Sequence, residues 1–322
     1  MNLVTPENLV QTLREAVGEE RVRTNAPLAP LTTFHVGGPA DVLVEAHTEQ
    51  DLHIVALVAR GVGVPLTILG GGSNVLIGDR GIRGVVVLVR DRTVEQVDEH
   101  GVRAAAGLTI NGLVRWTVGR GLAGLEAWAG TPGTVGGAIH GNAHFRGRNI
   151  SDLVREVRVL MPGRGVLDSG DVCDLPVGEM GFAYDTSRLQ GSGEVALSAV
   201  FNVTPGKTEE LRATARESLA FRKRTQPLDV PSAGCIFQNP DPAREQVPDG
   251  IPPSAGALID RAGLKGSTSG GARVSPTHGN FIVHDGAASA AQIRELIDRC
   301  KSGVASRYGV QLREEIVYLG EF

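Results

Sequence analysis

The chain has 322 residues, of which 41% are hydrophobic and 21% charged, and its formal net charge is −4. These values are ordinary for a folded protein and leave room for about two domains. No basic block is present, so nucleic acid is not an expected partner, and no run approaches the ~18 apolar residues of a membrane span.

The chain has three cysteines, Cys173, Cys235 and Cys300, which lie far apart and form no Cys-x-x-Cys or His/Cys cluster. This sparse, odd set argues against a disulfide framework and against a zinc site. The N-terminal stretch "MNLVTPENLVQTLREAVGEE" has neither a basic nor an apolar leader region, so it predicts a short capped helix rather than a signal peptide. We therefore expect a cytoplasmic protein without a metal site.

The first 200 residues alternate between strand and helix patterns. The stretch "ADVLVEA" predicts a strand, "EQDLHIVALVARGVG" a helix, and "VPLTIL" and "GVVVLVR" two buried strands. A helix from about Thr109 to Gly119 and a second short helical piece follow, and then the strands "LVREVRVLM" and "EVALSAVFNV". This order indicates an α/β or α+β arrangement.

After Pro205 a new section begins with a helix of about 17 residues that starts near Thr208. The strand "NFIVHDG", the helix "SAAQIRELIDRCKSGVASRYG" and the strand "EEIVYLG" complete the chain. We place a domain boundary near Pro205 and find no internal repeat.

Glycine is unusually frequent: it accounts for 43 of the 322 residues. This share is about twice the usual ~7%. Two glycine loops stand out, "ILGGGSNVLI" (68–77) and "GTPGTVGGAIHGN" (130–142). Consecutive glycines let several backbone N–H groups converge on one anion, so the pair suggests a clamp on a diphosphate. Both loops also remain readable as tight turns, and neither matches the dinucleotide-binding or P-loop fingerprint.

The stretch "FRKRTQPLDVPSAGCIFQNP" (221–240) places Arg222, Lys223 and Arg224 shortly before Cys235. The cations either meet substrate phosphates or form the solvated end of a helix. Three roles remain open for Cys235: a buried residue that fills space in the core, a reactive thiol, or a proton donor. Near the C-terminus, strand alternation places only one of Glu314 and Glu315 on a given face.

The chain resembles UDP-N-acetylenolpyruvoylglucosamine reductases, the flavoenzymes of bacterial cell-wall (peptidoglycan) precursor synthesis, from about Thr32 to Gly320. The resemblance rests on "TTFHVGGPA", "LGGGSNVLI", "GLE", "GTPGTVGGAIHGN", "PSAGCIFQNP", "SAGALIDRAGLKG", "THGNFIV" and "LREEIVYLG" in this order. It implies an α+β fold with an FAD-binding domain of the vanillyl-alcohol-oxidase-like (PCMH) type and a C-terminal α+β substrate domain. We assign residues 1–204 to the first, with two subdomains dividing near residues 80–90, and 205–322 to the second, whose last strand returns to the N-terminal part.

The resemblance also implies the activity. NADPH reduces bound FAD, which passes a hydride to the enolpyruvyl group of the UDP-sugar, and a proton completes UDP-N-acetylmuramate. The cofactor-binding positions it implies are Leu69, Gly70, Gly71, Gly72, Ser73, Asn74, Val75, Gly130, Thr131, Pro132, Gly133, Val135, Gly136, Gly137 and Asn142. The substrate-binding positions are Tyr184, Arg224, Asn239 and His278. We expect no membrane partner and favour a monomer.

Cys235 stands where the family usually has a proton-donating serine, and a thiol, with a reference pKa of about 8.5, is the stronger acid. Glu315 matches the family's acidic residue near the C-terminus. The short segment between Phe201 and Cys235 resembles the shorter of the family's two subtypes.

The chain departs from the family at two places. The family usually has arginine after the tyrosine of a "Y-R-x-S" motif, whereas Tyr184 is followed here by Asp185, which leaves Arg188 as the candidate cation. The run "HGNAHFRGRN" replaces a "MNAGAYG" type of run and brings in His140, His144 and Arg146. Two alternatives therefore stay open: another FAD oxidoreductase of the same fold, or a binder of flavin and UDP-sugar with impaired catalysis.

Overall fold

The computed structural model describes residues 7–163, 170–241 and 243–322. Eight α-helices lie within these ranges: α1 Leu9–Val17, α2 Glu49–Gly61, α3 Ile110–Gly119, α4 Val135–His140, α5 Leu189–Ser192, α6 Thr208–Thr225, α7 Ala255–Arg261 and α8 Ala290–Tyr308. None of these helices combines the length and the apolar character that a membrane span requires.

The described residues form eighteen strands. They are β1 Val22–Pro27, β2 Pro39–Ala46, β3 Leu66–Leu69, β4 Val75–Ile77, β5 Ile82–Val89, β6 Val94–Asp98, β7 Gly101–Ala105, β8 Leu122–Ala123, β9 His144–Phe145, β10 Arg148–Asn149, β11 Val154–Leu160, β12 Val172–Pro176, β13 Val195–Asn202, β14 Thr204–Pro205, β15 Thr268–Ser269, β16 Ala272–Val274, β17 Ile282–His284 and β18 Val317–Leu319. The strands and helices expected from the sequence patterns are confirmed, with ends that differ by a few residues. The short helical piece before the second glycine loop is a 3-10 helix, Glu126–Trp128, and part of that expected loop is instead the helix α4.

The chain folds into two compact units. Unit 1 takes its described residues from Met1–Ala26, Ala40–Gly71 and Arg83–Ala220, and unit 2 from Pro27–Pro39, Gly72–Ile82 and Phe221–Phe322. The two units are defined by which residues pack compactly together, and this division is no test of where the two domains meet in the sequence. The domain boundary near Pro205 therefore stays a prediction.

Unit 1 contains two larger sheets. A four-stranded sheet has the order β1-β2-β5-β3, with β3 parallel to β5, and a five-stranded antiparallel sheet has the order β12-β11-β13-β7-β6. β13 is buried from Ala196 to Phe201 without interruption, which is the pattern of a strand covered on both faces. The four-stranded sheet contributes to one apolar cluster of this unit, and the five-stranded sheet contributes to both of its clusters.

Side-chain caps explain where the helices of unit 1 begin. Thr48 Oγ1 accepts the N–H of Asp51 at 3.0 Å, and Asp51 accepts the N–H of Thr48 at 3.0 Å, which forms a capping box for α2. Thr109 Oγ1 accepts the N–H of Gly112 at 3.0 Å, so α3 begins as its sequence predicts.

Unit 2 is built around α8. Its buried face consists of Ala290, Ile293, Leu296, Ile297, Cys300 and Val304, which recur at helical spacing and pack into the unit's apolar cluster. Gly309 ends the helix with a φ of 71°, a left-handed conformation that costs glycine little. The three-stranded sheet β15-β16-β17 and the parallel pair β18-β4 belong to the same unit.

One carboxylate holds the start of α8. Asp79 accepts the N–H of Ala290 at 2.8 Å through Oδ1 and the N–H of Ala291 at 3.0 Å through Oδ2. These are two of the N–H groups that a helix leaves unsatisfied at its first turn, where negative charge is also favoured. Asp79, the second residue after β4, therefore anchors the central helix of unit 2.

We expect Asp79→Ala to lower the free energy of unfolding by about 1–2 kcal/mol, because both N–H groups lose their acceptor. Urea titration followed by circular dichroism measures the change. Asp249→Ala is the control, because exposed Asp249 has no hydrogen bond with any described residue. Equal unfolding midpoints for the two variants would contradict the anchoring role.

Candidate active site

The start of the first glycine loop, at Gly70 and Gly71, lies directly against the second glycine loop within unit 1. A Cβ on Gly71 would come within 2.6 Å of the Cα of Gly133, and one on Gly70 within 2.7 Å of Thr134 Oγ1. Real Cβ atoms do not approach other atoms so closely, so only glycine permits this packing. The loops that the sequence suggested as a pair are thus neighbours in space.

The first loop presents backbone donors. Within the part of the chain that the structure describes, no oxygen accepts the N–H of Gly71, Gly72 or Ser73. The φ of Gly72 is 60°, a turn conformation in which successive N–H groups converge. Consecutive N–H groups without an internal acceptor suit the oxygens of a phosphate.

Asn111, on the first turn of α3, fastens the second loop. Its Oδ1 accepts the N–H of Gly130 at 2.7 Å, and its Nδ2 donates to the carbonyl of Thr131 at 3.1 Å. Sequence reasoning missed this residue, although a polar side chain near the start of an apolar helix was a visible signal. The loop is therefore held by a side chain about 20 positions earlier in the chain.

The remaining predicted cofactor-binding positions differ in exposure. Leu69 and Val135 are buried, Val75 and Gly136 are half-buried, and Pro132 and Gly137 are exposed. Asn142 has a φ of 44°, donates through Nδ2 to the carbonyl of Ala183 at 2.8 Å and accepts the N–H of Ser151 at 3.2 Å. Asn142 therefore fixes the chain beyond α4 in place.

The two departures from the family pattern meet in unit 1. His144 Nδ1 lies 2.9 Å from Asp185 Oδ1, and the rings of His144 and Tyr184 are 5.0 Å apart. Asp185 has a φ of 55°, and its Oδ2 is buried without a hydrogen-bond partner among the described residues. The unexpected carboxylate and the unexpected imidazole are thus partners, and Tyr184 is exposed beside them.

Arg188 is engaged in an ion pair. Its Nε and Nη2 donate to the two carboxylate oxygens of buried Glu194, at 2.8 and 2.5 Å, and its Nη1 donates to the carbonyl of Glu179 at 3.2 Å. The hydrogen bonds that Arg188 donates to Glu194 raise the pKa of Arg188 above its ordinary value. This bidentate pair gives Arg188 a structural task, and its catalytic role stays a prediction.

In unit 2, Asn280 fixes the segment after Cys235. Its Oδ1 accepts the N–H of Phe237 at 2.9 Å, its Nδ2 donates to the carbonyl of Phe237 at 2.7 Å, and its own carbonyl accepts the N–H of Ile236 at 2.9 Å. Asn280 is only 3% exposed, so these bonds are shielded from water. The sequence patterns did not single out this residue.

Glu315 is tied to the same segment through the backbone. Its N–H donates to the carbonyl of Ile236 at 2.8 Å, and its carbonyl accepts from Asn74 Nδ2 at 3.0 Å. The neighbouring Glu314 makes an ion pair with Lys301 at 2.7 Å. Backbone bonds in unit 2 thus bring the segment that starts at Cys235 next to Glu315 and Asn74.

Arg222 is the buried member of the three cations. It is 6% exposed, whereas Lys223 and Arg224 are exposed. Burial lowers the pKa of Arg222 to about 10, and a thiolate at nearby Cys235 would oppose that shift. Arg222 shares the buried face of α6 with Leu211 and Ser218, and the substrate-binding role of exposed Arg224 stays a prediction.

Asn239 and His278 also lie in unit 2. Asn239 Oδ1 accepts the N–H of Ala255 at 3.2 Å, which satisfies the start of α7. His278 Nδ1 accepts the N–H of Asn280 at 3.2 Å, and burial is the main cause that lowers the pKa of His278. An acceptor Nδ1 and a lowered pKa both favour a neutral imidazole with its proton on Nε2.

Two family models match the chain. Residues 40–168 match an FAD binding domain, and residues 226–319 match the C-terminal domain of UDP-N-acetylenolpyruvoylglucosamine reductase. The α+β fold, with an FAD-binding domain of the PCMH type and a C-terminal substrate domain of this kind, is thereby confirmed.

Similar proteins extend over nearly the whole chain. The UDP-N-acetylenolpyruvoylglucosamine reductase of Halalkalibacterium halodurans is 36% identical over 98% of this chain and 99% of its own length. That of Heliobacterium modesticaldum is 38% identical over 92% of this chain and 90% of its own length. The crystal structure of the Thermus caldophilus enzyme is 32% identical, has a TM-score of 0.75 and covers 92% of this chain and 99% of its own. The chain belongs to the UDP-N-acetylenolpyruvoylglucosamine reductase family.

Proposed function

We propose that the chain reduces the enolpyruvyl group of UDP-N-acetylenolpyruvoylglucosamine to the lactyl group of UDP-N-acetylmuramate, with FAD as bound cofactor and NADPH as reductant. The observation that carries this proposal is the arrangement in unit 2, where Cys235 lies near buried Arg222 and its segment is bonded to Glu315. Membership of the family supports the substrate and the cofactor.

The glycine loops fit the cofactor's diphosphate. The N–H groups of Gly71, Gly72 and Ser73 would bind its oxygens, since no described oxygen accepts them. The second loop would stay close to the first, because neither Gly71 nor Gly133 has a Cβ. Bound FAD would take two electrons from NADPH and deliver them as a hydride to the substrate's double bond.

Cys235 supplies the proton that completes the reduction. Hydride addition at the terminal carbon leaves negative charge on the neighbouring carbon and its carboxylate, and the thiol of Cys235 protonates that carbon. One S–H bond breaks and one C–H bond forms, and the thiolate later regains its proton from solvent. Arg222 favours the thiolate in the meantime, because a buried cation attracts the negative sulfur.

The backbone keeps this donor in place. The side chain of Asn280 is hydrogen-bonded to both the N–H and the carbonyl of Phe237, so the segment that follows Cys235 has little freedom to shift. Glu315 is bonded to Ile236, one position beyond Cys235, and it helps to hold the donor. A donor fixed at short range needs no further ordering at the moment of proton transfer.

Gly71→Ala is expected to lower the flavin content of the purified protein strongly, because the new Cβ would meet Gly133 at 2.6 Å. The ratio of flavin to protein absorbance measures this content. Gly119→Ala is the matched control, since nothing lies within 4 Å of a Cβ at that position. Full flavin content in Gly71→Ala would contradict the assignment of the loop.

Cys235→Ala is expected to slow reduction of the sugar nucleotide by about 10²–10⁴-fold, because the proton donor is lost. Flavin bleaching by NADPH should keep its rate, since that half-reaction uses no proton from Cys235. Anaerobic stopped-flow absorbance separates the two half-reactions, and Cys235→Ser should retain part of the second one.

Equal slowing of both half-reactions in Cys235→Ala would point to a structural defect and contradict the donor role. Rapid reaction of the reduced wild-type protein with oxygen, without dependence on the sugar nucleotide, would favour another FAD oxidoreductase. Binding of both ligands without turnover in the wild type would favour a binder with impaired catalysis.

Alkylation by iodoacetamide near neutral pH should label Cys235 before the other two thiols. Burial raises the pKa of Cys300 to about 12 and is the main cause that raises the pKa of Cys173. Arg222→Gln should slow labelling of Cys235, because the buried cation no longer favours the thiolate, whereas Arg222→Lys should largely preserve it. Mass spectrometry gives the three rates, and Cys173 in unit 1 serves as the internal reference.

First labelling at Cys173, or an unchanged Cys235 rate in Arg222→Gln, would show that Arg222 does not act on this thiol. Urea unfolding of both Arg222 variants distinguishes a local effect from a loss of fold.

A further inference from the structure

Unit 1 contains a cavity of about 280 Å³ between the hairpin of β9 and β10 and the helix α6. Arg146 and Arg148 line it from the hairpin, and Thr214, Glu217 and Ser218 line it from the helix. None of these residues has a task in the reaction described above. The cavity is smaller than the roughly 300–1,000 Å³ of sites that enclose a whole drug-sized ligand, so it fits only part of a nucleotide.

Positive charge dominates this cavity. Arg146 Nη1 lies 3.9 Å from Glu217 Oε1, near the outer limit of an ion pair. The side chain of Arg148 makes no ion pair or hydrogen bond with any described residue. Two guanidinium groups face one carboxylate, which leaves an excess positive charge with planar donors that match the oxygens of a phosphate.

The turn of the hairpin adds an independent observation. Phe145 pairs with Arg148, and the two residues between them, Arg146 and Gly147, have φ values of 51° and 76°. Positive φ at both positions defines a type I′ turn, which favours Asn, Asp or Gly at its first position. An arginine in this conformation is strained, and strained residues concentrate at sites that bind ligands.

The helix side of the cavity is fixed. Ser218 is 4% exposed, and its hydroxyl donates to the carbonyl of Ala127 at 2.6 Å. Thr214 Oγ1 donates to the carbonyl of Glu210 at 3.2 Å. Both hydroxyl protons are committed, so the cations of the hairpin are the main donors toward an anion, while Glu217 accepts from a ligand hydroxyl.

We propose that Arg146 and Arg148 bind the 2′-phosphate of the reductant's adenosine ribose and thereby select NADPH over NADH. The ligand class is a phosphomonoester on a ribose, whose phosphate meets the two arginines and whose free hydroxyl meets Glu217. This assignment rests on the proposed function, because it takes a nicotinamide dinucleotide as the reductant.

The test uses the flavin-loaded full chain and titration calorimetry with 2′,5′-ADP and with 5′-AMP, which lacks the 2′-phosphate. The wild type should bind 2′,5′-ADP at least about tenfold more tightly, as expected for hydrogen bonds to a charged group. Arg148→Ala should abolish this preference and leave 5′-AMP binding unchanged. Arg92→Asn is the control, because it removes an exposed arginine that has no hydrogen bond or ion pair with any described residue.

Arg146→Asn separates a binding role from a structural one. Asparagine suits the first position of the turn, so this variant should unfold at a higher temperature while its affinity for 2′,5′-ADP falls. In steady-state kinetics, both hairpin variants should raise KM for NADPH and leave KM for NADH and kcat unchanged.

Equal affinity of the wild type for 2′,5′-ADP and 5′-AMP would overturn the assignment. Loss of UDP binding in Arg148→Ala, with 2′,5′-ADP binding retained, would also overturn it and would give the cavity to the sugar nucleotide's diphosphate. A wild type that prefers 2′,5′-ADP but oxidises neither dinucleotide would support the phosphate site and contradict the proposed function.

Discussion

The missing Cβ atoms at Gly71 and Gly133 are the constraint on which the cofactor-binding half depends. The two loops approach so closely that a methyl group at Gly71 would lie 2.6 Å from the backbone of Gly133. This contact brings the loop after β3 and the loop before α4 together, although they are about 60 positions apart in sequence. The N–H groups of Gly71, Gly72 and Ser73 in the first loop have no acceptor among the described residues.

Unit 2 relies on a different device. The buried carboxamide of Asn280 is hydrogen-bonded to both the N–H and the carbonyl of Phe237. A backbone hydrogen bond also joins Ile236 to Glu315. These bonds fix the segment that starts at Cys235 far more closely than apolar packing alone would do, because hydrogen bonds are directional. A proton donor benefits from such fixation, since its reach is short.

The sequence predicted most of the elements and the first glycine loop well, because both depend on local signals. The Thr48 cap, the run of valines in β5 and the glycine clusters act over a few residues, and all are visible in the printed sequence. Long-range partners were not predictable in the same way. Nothing local shows that Arg188 pairs with Glu194, that Asn280 holds Phe237, or that His144 and Asp185 meet.

The three cations at the end of α6 combine a local sequence signal with information that only the folded structure supplies. The sequence alone places Arg222, Lys223 and Arg224 on one helix end, and only burial distinguishes Arg222 from the exposed Arg224. Helical phase contained that information, since Arg222 lies four residues after Ser218 and eleven after Leu211, on the face that α6 buries. The cavity between β9–β10 and α6 had no such signal, because it depends on the packing of separate elements.

The central claim is that this chain couples oxidation of NADPH to reduction of the enolpyruvyl sugar nucleotide. The most direct test follows NADPH absorbance with the wild-type flavoprotein, with and without UDP-N-acetylenolpyruvoylglucosamine, and measures UDP-N-acetylmuramate by chromatography. The account predicts that steady oxidation requires the sugar nucleotide and yields one product molecule for each NADPH consumed. Oxidation that proceeds equally without the sugar nucleotide, or that yields no UDP-N-acetylmuramate, would contradict it.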